Sequence, residues 1–83
     1  MRTNKETAHQ AFTKHADDCA ALLDHLTEVI ALRREKAAAD SANWGHAGSM
    51  AEVRTRLIET LAFIGGLEES DIETTLAELR QEA

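Results

Sequence analysis

Proline and tyrosine are absent from this 83-residue chain, and cysteine and tryptophan occur once each. Without proline, no residue breaks a helix by removing a backbone donor. The single cysteine, Cys19, cannot form a disulfide within the chain, a pattern that fits a reducing cytoplasm better than secretion. We therefore expect a cytoplasmic protein that no covalent cross-link stabilises.

Long hydrophobic runs are missing as well. No apolar run approaches the ~20 residues of a membrane-spanning helix, and no signal sequence opens the chain, so we expect no membrane association. Alanine supplies 15 of the apolar residues, which leaves few large side chains for a core. The composition favours helices. Because so small a helical chain gains from a partner that covers its apolar surface, we predict a homodimer.

Basic residues are scarce in the second half of the chain. Residues 1–39 carry six basic and six acidic side chains, whereas residues 40–83 carry three basic and nine acidic ones. The net charge of −6 therefore arises entirely after residue 39. An acidic surface repels the phosphates of nucleic acids, which disfavours a nucleic-acid partner.

The first part of the chain predicts one helix from Asn4 to Ala39, about 54 Å long, that no glycine or proline interrupts. Its apolar residues alternate steps of four and three, as in a helix packed along its neighbours: Phe12, Ala16, Cys19, Leu23, Leu26 and Ile30. Leu22 and Val29 widen this stripe enough to touch more than one helix. The candidate residues for an oligomer interface are Phe12, Cys19, Leu22, Leu26 and Val29.

Three helix starts are predicted from capping boxes, in which Ser or Thr is followed three residues later by Glu. They lie at Thr3–Glu6, Ser49–Glu52 and Ser70–Glu73. In each box the hydroxyl accepts from a free backbone N–H, and the Glu side chain accepts from the N–H of the capping residue. Each box precedes a stretch of apolar periodicity, which strengthens the prediction.

Two shorter helices are predicted after the long one, from Met50 to Ile64 and from Asp71 to Gln81. Gly65 and Gly66 should end the first of them. The residues predicted to face inward are Met50, Val53, Leu57, Leu61 and Ile64, followed by Ile72, Leu76 and Leu79. The predicted fold is all-α and a single domain over residues 1–83. One long N-terminal helix folds back on two shorter ones, in a helical bundle that dimerisation completes.

Residues 41–52, S-A-N-W-G-H-A-G-S-M-A-E, contain the only tryptophan and are predicted to form a turn. In one interpretation they form a binding loop in which Trp44 and His46 contact a partner. In the other, the glycines reverse the chain and Trp44 covers the open end of the bundle. We favour the second interpretation, because no carboxylate between Asn43 and Gly48 orients His46 for chemistry.

Four arginines are further candidates for partner binding. Antiparallel folding would bring Arg33 and Arg34 towards Arg54 and Arg56, at the Trp44 end of the bundle. This group is predicted to dock an acidic protein or to meet the acidic half of a second copy.

Histidines and carboxylates on one flank of the long helix suggest a metal-binding alternative. His15 with Asp18, and His25 with Glu28, are spaced as half-sites for a divalent cation that a dimer would join. Glu6 and His9 have the Glu-x-x-His spacing found in di-iron bundles. A solvated flank with ordinary ion pairs explains the same pattern, so we predict no cofactor.

Residues 61–79 suggest another alternative, a degenerate helix-turn-helix with Gly66 and Leu67 in its turn. Its second helix would present Asp71, Glu73 and Glu78 where DNA-binding proteins present basic and amide side chains. Cys19 lies on the apolar stripe beside two aspartates, which favours a buried role over nucleophilic catalysis. No catalytic constellation is complete, so the predicted function is a non-enzymatic protein-interaction or regulatory module that self-associates through its long helix.

Overall fold

A computed structural model describes residues 5–82, which form α1 (Ala8–Ala39), α2 (Trp44–Gly65) and α3 (Glu69–Glu82). No strand occurs among these residues, so the prediction of an all-α protein with three helices is confirmed. Within the same range, no helix is both long enough and apolar enough to cross a bilayer. The chain divides after Ser41 into two compact units, one with α1 and one with α2 and α3.

A capping box formed by Thr7 and Gln10 begins α1. The Gln10 amide donates to Thr7 Oγ1 at 3.0 Å, and the Thr7 amide donates to Gln10 Oε1 at 2.8 Å. Residues 5–7 are not helical, so helix 1 begins later than predicted, and the predicted cap Thr3 and first residue Asn4 lie outside the described residues. The end of α1 at Ala39 is as predicted.

Asn43 caps α2, which begins at Trp44, six residues before the predicted start at Met50. Its side-chain Oδ1 accepts a hydrogen bond from the Gly45 amide at 2.8 Å, which satisfies one of the free donors at a helix start. The helix then continues through residues 45–52, so Ser49 lies in its interior and the predicted capping box Ser49–Glu52 is wrong. The predicted turn is correspondingly limited to residues 40–43.

Gly66 ends α2 in the left-handed conformation, with φ of 65°, and confirms the predicted stop. The Leu67 amide donates to the Ala62 carbonyl at 3.2 Å, a bond typical of helix ends at glycine. The next helix begins at Glu69, where the Glu68 carbonyl accepts from the Ile72 amide at 3.2 Å. Ser70 therefore lies inside α3, and the predicted capping box Ser70–Glu73 is also wrong.

Two isoleucines form the core between α2 and α3, which contact each other. Ile58 and Ile72 are each only 7% exposed. The prediction holds for Ile72 and in part for three half-buried residues, Met50, Val53 and Leu76. It is wrong for four residues that are exposed: Leu57, Leu61, Ile64 and Leu79. Ile58 is not in the predicted stripe because it lies one residue, about 100° around the helix, from the predicted Leu57.

Candidate interaction surface

An apolar stripe runs along α1, and none of its residues is buried. We call it the α1 stripe; its members are Phe12, Ala16, Cys19, Leu22, Leu23, Leu26, Val29 and Ile30. Phe12 is 64% exposed, Leu22 65% and Leu23 57%. Cys19 is a free, exposed thiol, and Leu26, Val29 and Ile30 are half-buried. All five predicted interface residues therefore keep surface open to solvent.

The exposure of the α1 stripe is energetically costly. Covering a fully exposed Leu, Val, Ile or Phe stabilises a complex by roughly 1.5–3 kcal/mol per side chain. In proteins, most helical stability comes from packing of an apolar face rather than from helix propensity. The described part of the α1 unit contains α1 alone, so this unit offers no second element to its own stripe. Contiguous apolar surface of this kind is typical of protein interfaces.

The α1 unit also carries ion pairs outside the α1 stripe. Lys14 Nζ lies 3.0 Å from Glu6 Oε2, and His25 Nδ1 lies 3.8 Å from Glu28 Oε1. Neither Arg33 nor Arg34 makes an ion pair within residues 5–82, so both predicted partner-binding arginines on α1 are available to an external carboxylate.

The predicted metal ligands come together only as one pair, His25 with Glu28, on an exposed turn of α1. Across the described chain, no group of three or more His, Cys, Asp or Glu side chains is arranged to hold a metal ion. Glu6, which shares the di-iron-like spacing with His9, lies before α1 and pairs with Lys14. Metal binding through His15, Asp18, His25 and Glu28 stays a prediction that requires ligands from a second copy.

The two other predicted arginines hold carboxylates of their own chain. Arg54 on α2 binds Glu73 on α3 through both guanidinium nitrogens, with Nη1 donating to Oε2 at 3.1 Å and Nη2 donating to Oε1. Arg56 Nε donates to Glu52 Oε2 at 2.9 Å within α2. The hydrogen bonds from Arg54 lower the pKa of Glu73, and the same contact raises the pKa of Arg54. Arg54 therefore fastens α2 to α3.

Trp44 is the first residue of α2 and is 84% exposed. Trp44 does not cover the core of its own unit, so the interpretation of Trp44 as a lid is wrong within that unit. Its side chain is instead accessible to a partner, as the first interpretation of residues 41–52 requires. His46 is half-buried in the first turn of α2, where its amide donates to the Asn43 carbonyl at 3.3 Å.

Two further exposed residues, Phe63 and Ile64, lie at the end of α2, 87% and 73% exposed. Phe63 lies off the apolar periodicity of its helix, so that periodicity does not predict a role for it. An aromatic residue outside the periodic stripe of its helix is itself a signal of an exposed apolar side chain.

No protein-family model, curated protein or solved structure matches the chain. Its function must therefore be inferred from the surfaces described above.

Proposed function

We propose that this protein is a non-enzymatic protein-interaction module of the cytoplasm that self-associates through the α1 stripe. The observation that carries the proposal is the exposure of Phe12, Leu22 and Leu23 on one face of a 32-residue helix that buries no side chain. A second copy presents the same apolar face, so a two-fold contact covers both at once.

The second unit supports a regulatory or accessory role for the module. Its helices are fastened by Ile58, Ile72 and the Arg54–Glu73 pair, while Trp44 and Phe63 remain exposed on α2. Exposed aromatic residues are enriched at protein interfaces. Self-association through α1 would thus leave Trp44 for a different protein partner.

The mass of the purified chain in solution tests the proposal, with light scattering coupled to size exclusion over a range of concentrations. We expect the wild type to approach twice the chain mass of 9.1 kDa. Leu26→Glu places a charge in the α1 stripe and should reduce the mass to that of one chain. Burying an unpaired carboxylate costs several kcal/mol, more than one apolar contact returns.

Ala21→Glu is the matched control. It adds the same charge to α1 on the opposite face, about 160° from the centre of the stripe, at a position that is exposed. We expect it to remain dimeric. A wild type that stays monomeric at every concentration, or a Leu26→Glu chain that stays dimeric, would contradict self-association through this stripe.

Metal binding is the second candidate, favoured only by the contact between His25 and Glu28. The metal content of the same purified sample tests it. Stoichiometric metal that is lost in His25→Ala but not in His9→Ala would establish a site on this flank of α1. A sample without metal that also fails to bind added Zn²⁺ would exclude it.

A further inference from the structure

The length of α1 restricts what can cover its apolar face. With Arg33 and Ala37, which continue the same spacing, the face extends from Phe12 to Ala37, about 38 Å along the helix. At the same rise per residue, α2 with 22 residues is about 33 Å long and α3 with 14 residues about 21 Å. No other helix of the described chain is as long as this face. A second copy of α1 matches it over its whole length.

The sizes of the side chains indicate the direction of the pairing. In a parallel pair each core residue meets its own copy, so Phe12 meets Phe12 while Ala16 and Ala37 leave gaps. In an antiparallel pair centred between Leu23 and Leu26, each layer joins either a large residue with a small residue, or two residues of equal size. The layers are Phe12 with Ala37, Ala16 with Arg33, Cys19 with Ile30, and Leu23 with Leu26. Uniform filling of layers is what a packed interface requires.

The charges of α1 favour the same direction. Residues 33–36 contain three basic side chains and one acidic, whereas Asp17 and Asp18 lie in the first half of the helix. Parallel pairing would place Arg33 against Arg33 in the interface. Antiparallel pairing places Arg33 and Arg34 beside the half of the second copy that contains Asp17 and Asp18, and it keeps the two Arg33 residues about 26 Å apart along the axis. It also opposes the two helix dipoles favourably.

From these observations we infer that two copies of α1 pair antiparallel, with Leu23 of each copy opposite Leu26 of the other. The inference rests on the proposed self-association and adds the identity of the partner surface and its register. A shift of the register by one heptad in one direction leaves Ala37 outside the paired layers. A shift in the other direction leaves Phe12 and Ala16 outside them. The register centred between Leu23 and Leu26 therefore covers most of the face.

Cys19 provides a direct test in the full-length chain. In the inferred register it faces Ile30 of the second copy, and the two Cys19 residues are eleven positions apart along the axis, about 16 Å. A disulfide requires Cα atoms within about 7 Å. Under mild oxidation with diamide, the wild type should stay uncrosslinked, whereas Ile30→Cys should form a covalent dimer. Mass spectrometry of the digested dimer should identify the link as Cys19 to residue 30.

The control is Ala31→Cys, which places a thiol on the outer face one residue away and should not crosslink. If circular dichroism shows that Ile30→Cys has lost its helix, the layer of Ala16 with Arg33 tests the register instead. In a Cys19→Ser background, separate Ala16→Cys and Arg33→Cys chains should crosslink when mixed and not when alone.

The outcomes separate the two proposals. A monomer by light scattering overturns both. A dimer in which wild-type Cys19 links to Cys19 shows parallel pairing or a shorter overlap, and overturns the register while self-association stands. A dimer without crosslinks in either layer overturns the register as well. Links between residues 19 and 30 and between residues 16 and 33, without links in the controls, support it.

Discussion

The pairing of Arg54 with Glu73 joins α2 to α3 at the level of single side chains. The pKa of Glu73 lies below its ordinary value of 4.5, because Arg54 donates hydrogen bonds to the carboxylate and the charges of Arg54 and Arg80 favour its ionised form, although partial desolvation opposes the shift. A carboxylate whose pKa is lower in the folded state stabilises that state above the ordinary pKa. The contribution is lost as pH falls through the lowered pKa.

Glu73→Gln should therefore lower the Tm by a few degrees at pH 7, a modest effect because the pair is exposed to solvent. The difference from the wild type should shrink as the pH falls below 4.5 and close once it passes the lowered pKa of Glu73, where the folded wild-type carboxylate also becomes neutral. Thermal unfolding followed by circular dichroism between pH 7 and pH 3 measures this. Glu78→Gln, at a residue without an ion pair in the described chain, should show no such closing gap. A Glu73→Gln difference that stays constant with pH would rule out the ion pair as its cause.

Trp44 is exposed in the described structure, so we expect it to contribute little to stability. Because it is 84% exposed, Trp44→Ala should change the free energy of unfolding by less than about 0.5 kcal/mol. Acrylamide should quench its fluorescence as efficiently as that of a free indole. Ile58→Ala, at a residue 7% exposed, is the contrasting variant and should cost about 2–5 kcal/mol. A loss of roughly 3 kcal/mol for Trp44→Ala would restore the lid interpretation.

Glycines play opposite roles at the two ends of α2. Gly66 has φ of 65°, which a residue with a Cβ adopts only with strain, whereas Gly48 is inside the helix and a Cβ there would meet no atom within 4 Å. Gly66→Ala should destabilise the chain by about 1–2 kcal/mol, and Gly48→Ala should stabilise it by about 0.5–1 kcal/mol. Chemical denaturation of both variants measures the two signs. Equal effects of the same sign would show that helix propensity alone governs both positions.

Local sequence patterns predict some of the helix boundaries but not all of them. The end of α1 at Ala39 is as predicted, and the end of α2 was predicted to within one residue because Gly65 and Gly66 are local stop signals. The predicted start of α2 is too late because Gly45 and Gly48 are typical of a turn, whereas the side chain of Asn43 caps a helix that runs through both. Asn is a preferred capping residue, so Asn43 is the local signal for the observed start of α2.

Self-association should couple the stability of the whole molecule to its concentration. Folding that is linked to dimer formation gains stability by mass action, and α1 buries no side chain in the single chain. Raising the concentration tenfold should therefore raise the Tm of the wild type but not that of Leu26→Glu. Circular dichroism melts at several concentrations measure this. Wild-type melts that superimpose at all concentrations would argue that α1 needs no second copy.

Local spacing along the chain was sufficient to predict three helices, the glycine stop after α2 and the apolar stripe of α1, because these features depend on residues three or four positions apart. The same spacing did not predict which face of α2 packs. Ile58 and Leu57 are adjacent and equally apolar, and only the position of α3, with Ile72 and Glu73 facing α2, makes Ile58 the buried one. Nor did it predict the exposure of Trp44, because a large aromatic residue is buried only where another element covers it.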